Sequence, residues 1–202
     1  MKRVVWGLAL LVLVLPIAAR ADGINLTNQF GTVTISNSGI VTQGSELMSF
    51  NGIQAPKNHS LGTVSFATGA LLTGDIWNGG TFSDVGSSFM VTGRGSYGEP
   101  RGLIFAGAFT GTIDWNLVAS NKQFHEYQLI GEIIGQLYTG RTVTGSTTQT
   151  IYTYWNQEKV DHKGAIHLGS THLNTPEPST LGLMGAGLLA IAGAVRRKLA
   201  RG

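Results

Sequence analysis

The chain has 202 residues, with 14 Lys and Arg against 11 Asp and Glu, 29 Gly, 5 Pro and no Cys. That length carries one domain with its own core, and the missing cysteines exclude disulfide scaffolds and thiolate metal sites. The formal charge of +3 bears on nucleic acid only once its position along the chain is known.

The first element is Met1-Lys2-Arg3, followed by an apolar run from Val4 to Ala19 that Gly7 and Pro16 interrupt, closing on Ala19-Arg20-Ala21. A basic start, an apolar centre and an A-x-A exit describe a secretory signal peptide over residues 1–21, with Ala19 and Ala21 as the small residues of the cleavage site. The apolar run falls short of the roughly 20 residues that a spanning helix needs, which favours cleavage over a permanent anchor.

Residues 22–174 hold 23 of the glycines and two prolines, Pro56 and Pro100. No stretch of helical periodicity stands out; short runs rich in Thr, Val, Ile and Phe, divided by Gly, Asn and Ser, predict an all-β domain. In chain order the predicted strands are 31–36, 62–67, 70–76, 87–92, 103–118, 126–138, 142–155 and 165–168. Turns are predicted at Asn37-Ser38-Gly39, Trp77-Asn78-Gly79-Gly80 and Ser120-Asn121-Lys122. The expected architecture is a two-layer antiparallel β-sandwich, with a partly closed β-barrel as the alternative. The Thr-rich run from Thr142 to Thr153 reads as a strand with one solvated face.

The middle of the domain allows a register to be predicted. Phe105, Gly107, Phe109, Gly111, Ile113, Trp115 and Leu117 occupy alternate positions, as do Tyr127, Leu129, Gly131, Ile133, Gly135 and Leu137. Period-two alternation puts each set on one face. A hairpin centred on Asn121 then pairs Trp115 with Tyr127, Ile113 with Leu129, Gly111 with Gly131, Phe109 with Ile133 and Gly107 with Gly135. Glycine pairs on a core face leave a notch, read as room for packing rather than for a ligand.

Motifs for chemistry are sparse. Gly93-Arg94-Gly95-Ser96-Tyr97-Gly98 matches the dinucleotide fingerprint in letters, but Glu99-Pro100-Arg101-Gly102 and a strand follow where the motif needs a helix. It reads as a loop. His162, His167 and His172 recur at intervals of five near Asp161. Such odd steps reverse the strand face each time, so His162 and His172 can share a side that His167 cannot, and no metal site or cofactor is expected. Asp114 and Glu126, near neighbours in the expected register, read as solubilising charges rather than a catalytic acid pair. Trp77 and Trp155, with Tyr154, are candidate glycan contacts through their ring faces; a cap on the sandwich end is the ordinary alternative for Trp77.

The last element begins with Thr175-Pro176-Glu177-Pro178 and continues through an apolar, Gly-rich helix over 181–195 to Arg196-Arg197-Lys198 and Arg201. At 1.5 Å per residue this helix spans about 22 Å, short of a hydrocarbon core of roughly 30 Å. It suits a transient membrane stage better than a permanent anchor. The basic stop Arg196, Arg197 and Lys198 belongs on the cytoplasmic side, leaving Pro176, Glu177 and Pro178 outside.

In motif, helix and basic stop, residues 175–202 resemble the PEP-CTERM sorting signals of exported bacterial proteins. The resemblance implies handling by an exosortase-type membrane enzyme, a transient inner-membrane stage and delivery to the cell surface or matrix, in bacteria that make extracellular polysaccharide. It covers the tail and says nothing of the domain exported. With both terminal segments set aside, seven basic residues face ten acids, a net −3 for residues 22–174, so no nucleic-acid partner is expected.

Three readings follow. The first is a non-enzymatic surface or extracellular-matrix protein. The second is a polysaccharide-binding module, and the third a secreted polymer hydrolase, for which no nucleophile, metal set or acid pair is recognised.

Overall fold

The computed structural model describes residues 23–121, 124–154 and 162–174. They form one unit, made of strands. In chain order these are β1 (Gly23–Ser36), β2 (Gly39–Phe50), β3 (Ile53–Gln54), β4 (Gly62–Ala67), β5 (Leu71–Asp75), β6 (Gly79–Phe82), β7 (Ser88–Gly93), β8 (Gly102–Ser120), β9 (Phe124–Leu137), β10 (Thr142–Tyr154) and β11 (His162–Asn174).

The all-β expectation holds, and of the two expected architectures the barrel is the one formed, as a closed antiparallel barrel; the two-layer sandwich is not. Hydrogen bonds run from β1 through β2, β4, β7, β8, β9, β10 and β11, and β11 pairs with β1 again. Closure removes the open edges that a sandwich would have to protect. The short β3 folds back antiparallel on the end of β2, and the β5–β6 hairpin pairs with β8 at Ile113–Asn116, beyond the segment that β7 uses.

Gly23 pairs with Asn174, so the barrel's first and last residues leave from one end, here called the terminal end. Loops 51–61, 94–101 and 138–141 lie there too; Arg94 N–H donates to Leu61 O (2.7 Å), joining the first two, and Tyr138 N–H donates to Ile104 O of β8 (2.8 Å). The opposite end carries the β1–β2 turn, the β5–β6 turn and the β8–β9 turn.

An eight-stranded barrel has an interior that side chains can fill. Phe66, Phe89, Phe105 and Phe109 fill part of it, with Phe89 and Phe109 edge-to-face at 5.9 Å. Trp115 and Tyr127 stack at 4.4 Å.

Another part of the interior is polar. Asn28 on β1 and Gln149 on β10 are both fully buried, and Gly169 of β11 stands between them in register. A Cβ on Gly169 would strike both amide oxygens; its absence lets the two amides meet. Asn28 Nδ2 donates to Gln149 Oε1 (3.0 Å), and Gln149 Nε2 donates back to Asn28 Oδ1 (3.3 Å). Asn28 Nδ2 also donates to Ser45 Oγ, Gln149 Nε2 donates to Thr147 Oγ1, and Thr147 shares a hydrogen bond with Thr171. The Thr-rich β10 thus has the solvated face expected of it, but its inward face is largely polar as well.

The β8–β9 register is correct over half its length. Phe105 to Thr110 pair as predicted, with Gly107 opposite Gly135 and Phe109 opposite Ile133. Beyond Thr110, β8 carries two residues more than β9, so Asp114 pairs with Ile130 and Trp115 with Leu129. The predicted pairs Gly111–Gly131, Ile113–Leu129 and Trp115–Tyr127 are therefore not formed. The extra residues sit where β7 has left β8 and β6 has not yet joined it. There Asp84 Oδ2 accepts the Gly111 N–H (2.8 Å) and Ser87 Oγ accepts the Phe109 N–H (3.1 Å), and Gly111 takes φ +74°. A slip of two preserves the strand's faces. Trp115 and Tyr127 thus remain inward as diagonal neighbours and still stack. The glycine notch is used for packing: a Cβ on Gly131 would lie 2.7 Å from the Phe109 ring, and one on Gly107 would meet the β9 backbone.

Candidate functional site

The β5–β6 turn, which carries Trp77, is held from within the barrel. Trp115 Nε1 donates to Ile76 O (3.0 Å), and the Tyr127 hydroxyl donates to Trp77 O (2.9 Å). Burial, and then the nearby Asp75 charge, push the Tyr127 hydroxyl up to about 12, so it stays a donor at neutral pH. Asp75 caps the turn by accepting the N–H groups of Trp77 and Asn78, both at 2.7 Å. Its carboxyl is held below the usual range by the Asn78 side chain first and by those backbone groups next. The outcome is a fixed turn that leaves Trp77 40% exposed. Trp155, the other candidate glycan contact, lies outside the described residues.

A second aromatic group crosses β9, β10 and β11. Phe124 stacks on Tyr152 at 5.0 Å, and Tyr152 on His167 at 4.4 Å. In this stack the middle ring, Tyr152, has both faces against its neighbours and offers none to a sugar ring. Burial first, and then Glu126, raise the Tyr152 hydroxyl. Glu126 stands opposite Tyr152 on β10 and Ala119 on β8 rather than beside Asp114, which pairs with Ile130 and Thr81. The two carboxylates are not neighbours.

The histidines are dispersed. A bulge in β11 opposite Thr150 and Ile151 changes the strand's phase, so His167 and His172 both point outward, against the alternation expected of them. His167 is engaged with Tyr152, and His172 Nδ1 lies 2.6 Å from Asn25 Oδ1. Among the described residues no group of three His, Cys, Asp or Glu side chains is placed to hold a metal ion.

The glycine-rich segment ends β7 at Gly93 and runs on as a loop over 94–98, where the dinucleotide motif would need a helix. Its amides do converge on an anion, but the anion is the chain's own Glu99. Ser96 and Tyr97 N–H groups donate to the two Glu99 oxygens, each at 2.9 Å. Burial alone would raise this carboxyl; the amides of Ser96, Glu99, Tyr97 and Gly95 outweigh it and hold the group below its usual range. This buried acid went unrecognised in the sequence, although an acid just after a glycine-rich loop is the available signal.

The described strand residues end at Asn174, and residues 174–198 match the PEP-CTERM protein-sorting motif family. The chain carries a PEP-CTERM sorting signal. Such signals are handled by exosortase, a membrane enzyme, so this is an exported protein with a membrane-associated sorting stage. The PEP-CTERM tripeptide Pro176, Glu177 and Pro178 falls within the match. Together with the expected apolar helix over 181–195, the stop Arg196, Arg197 and Lys198, and the cleavage residues Ala19 and Ala21, it lies outside the described residues. Among the described residues no helix is long and apolar enough to cross a membrane. No curated protein and no solved structure matches the chain.

Proposed function

We propose that the protein is a non-enzymatic component of the cell surface or extracellular matrix, exported and then sorted through its PEP-CTERM signal by an exosortase. The observation that carries this reading is the sorting motif beginning at the last residue of the last barrel strand. Further support comes from the interior, occupied by packing aromatics and a hydrogen-bonded amide pair. The acids favour the same reading: Asp75 and Glu99 are engaged by local amides, and Asp114 and Glu126 are apart. The test is an intact mass of the protein recovered from its host. The expected mature chain begins at Asp22 and lacks the apolar helix; a chain retaining residues 179–202 would refute processing at the motif.

A polysaccharide-binding role is the second reading, favoured by the exposed ring of Trp77 on its fixed turn. Retardation in polysaccharide affinity gels that Trp77→Ala abolishes would support it.

A further inference from the structure

The charged residues in the barrel's end loops are segregated. At the terminal end, Lys57 lies in the 51–61 loop, Arg94 and Arg101 in the 94–101 loop and Arg141 in the 138–141 turn, and all four are exposed. Among the described residues the loops of this end hold one acid, Glu99, which is turned into its own loop amides; Glu46, opposite Thr63, and Glu132, opposite Thr110, lie on the barrel wall. Towards the opposite end lie Asp75, Asp84, Asp114 and Glu126, with Lys163 as the basic residue among those described there. The net −3 of the domain thus conceals a cationic face and an anionic one. The cationic face also carries Tyr97, 40% exposed, and Tyr138, 57% exposed.

We infer that the terminal end of the barrel is a docking face for an anionic phospholipid surface, occupied while the chain awaits processing. The inference rests on the membrane stage implied by the sorting signal. Three observations lead to it. Lys and Arg near an anionic leaflet are attracted over roughly a Debye length, about 10 Å at ordinary salt. Exposed tyrosines suit the headgroup region, where one end of the ring is apolar and the other wet. Finally, the chain leaves for its sorting motif from this end, and the two residues from Asn174 to Pro176 reach about 7 Å at most. The cationic face is therefore the end of the barrel from which the chain leads covalently into the segment that the membrane enzyme handles. A soluble polyanion would satisfy the charge but not this tether.

The chain contains no cysteine, so a single introduced one can carry a fluorophore. Full-length chains with Thr139→Cys, at the terminal end, or Val85→Cys, exposed at the other, would be labelled and reconstituted into vesicles holding a headgroup-quenching lipid. The expected result is quenching at position 139 when phosphatidylglycerol is mixed into phosphatidylcholine, and its loss in phosphatidylcholine alone or at high salt. Position 85 should stay bright throughout. Each of Arg94→Gln, Arg101→Gln and Arg141→Gln should lower the docked-to-undocked ratio about fivefold, with the circular dichroism of the barrel unchanged. Equal quenching in both lipids, equal quenching at both positions, or an unaltered triple variant would overturn the inference. So would a soluble acidic polysaccharide that binds position 139 chains more tightly than the vesicles do. None of these readouts depends on exosortase cleavage, so failure here is distinct from failure of the sorting reading.

Discussion

Replacing one member of the Asn28–Gln149 pair should cost more than its share, and replacing both should recover part of the loss. In Gln149→Met the side-chain length is kept, but Asn28 Oδ1 loses the Gln149 donor at 3.3 Å and Asn28 Nδ2 loses the acceptor at 3.0 Å. Asn28 Nδ2 keeps Ser45, and Thr147 keeps Thr171, so the main penalty is one buried oxygen without a donor. That costs about 1–3 kcal/mol, and the hydrogen bonds themselves bring the total to about 2–4 kcal/mol. Asn28→Leu orphans Gln149 in the same way and should cost a similar amount. In the double variant both orphans vanish, and two apolar side chains meet over Gly169 at a site already free of a Cβ. The double variant should therefore be more stable than the sum of the singles by at least about 1.5 kcal/mol. Urea unfolding followed by far-ultraviolet circular dichroism, with unchanged m, measures all four corners of the cycle. Additivity within about 0.5 kcal/mol would refute the view that the two amides are satisfied chiefly by one another.

Gly107 and Gly111 should respond differently to Ala in the same unfolding assay. A Cβ at Gly107 would press on the β9 backbone and on Phe105, whereas Gly111 has open space but φ +74°. Gly107→Ala should lose about 3 kcal/mol or more, and Gly111→Ala about 1–2 kcal/mol of left-handed backbone strain; equal losses would contradict the assigned notch. Glu99 should contribute to acid stability, because its pKa is depressed below its ordinary value of 4.5. The contribution is present above 4.5 and is lost as pH falls through the folded-state value. Glu99→Gln should flatten the fall in melting temperature below pH 4.5, and an unchanged acid limb would count against the loop's capture of this carboxylate.

What the amino-acid sequence determined by itself is local and contiguous. Strand β4 was legible to the residue, and β8 and β9 were legible as partners, because their inward residues keep to odd positions from Phe105 to Trp115 and from Tyr127 to Leu137. The sorting signal was legible for the same reason, its motif, apolar segment and basic stop being consecutive.

Where the phase of the pattern breaks, the reading failed. Strand β2 was missed outright: Ile40 and Thr42 are inward at even positions, then Gly44 at φ +69° shifts the strand, and Ser45 and Leu47 are inward at odd ones. In β1 the change falls at Phe30 and Gly31, and in β11 near His167, which hid the first part of one strand and both ends of the other. Inward polar residues such as Asn28, Thr147 and Gln149 erased the contrast on which any periodicity depends.

Only the tertiary structure decided the rest, because the deciding contacts join residues far apart in the chain. The β1–β11 ladder turns an expected sandwich into a barrel. Gly169 admits a hydrogen bond between Asn28 and Gln149, 121 residues apart. The Trp77 turn is fastened by Trp115 and Tyr127. Charge follows the same division: composition yields the −3 of residues 22–174, while closure of the barrel gathers Lys57, Arg94, Arg101 and Arg141 at the end from which the sorting signal departs.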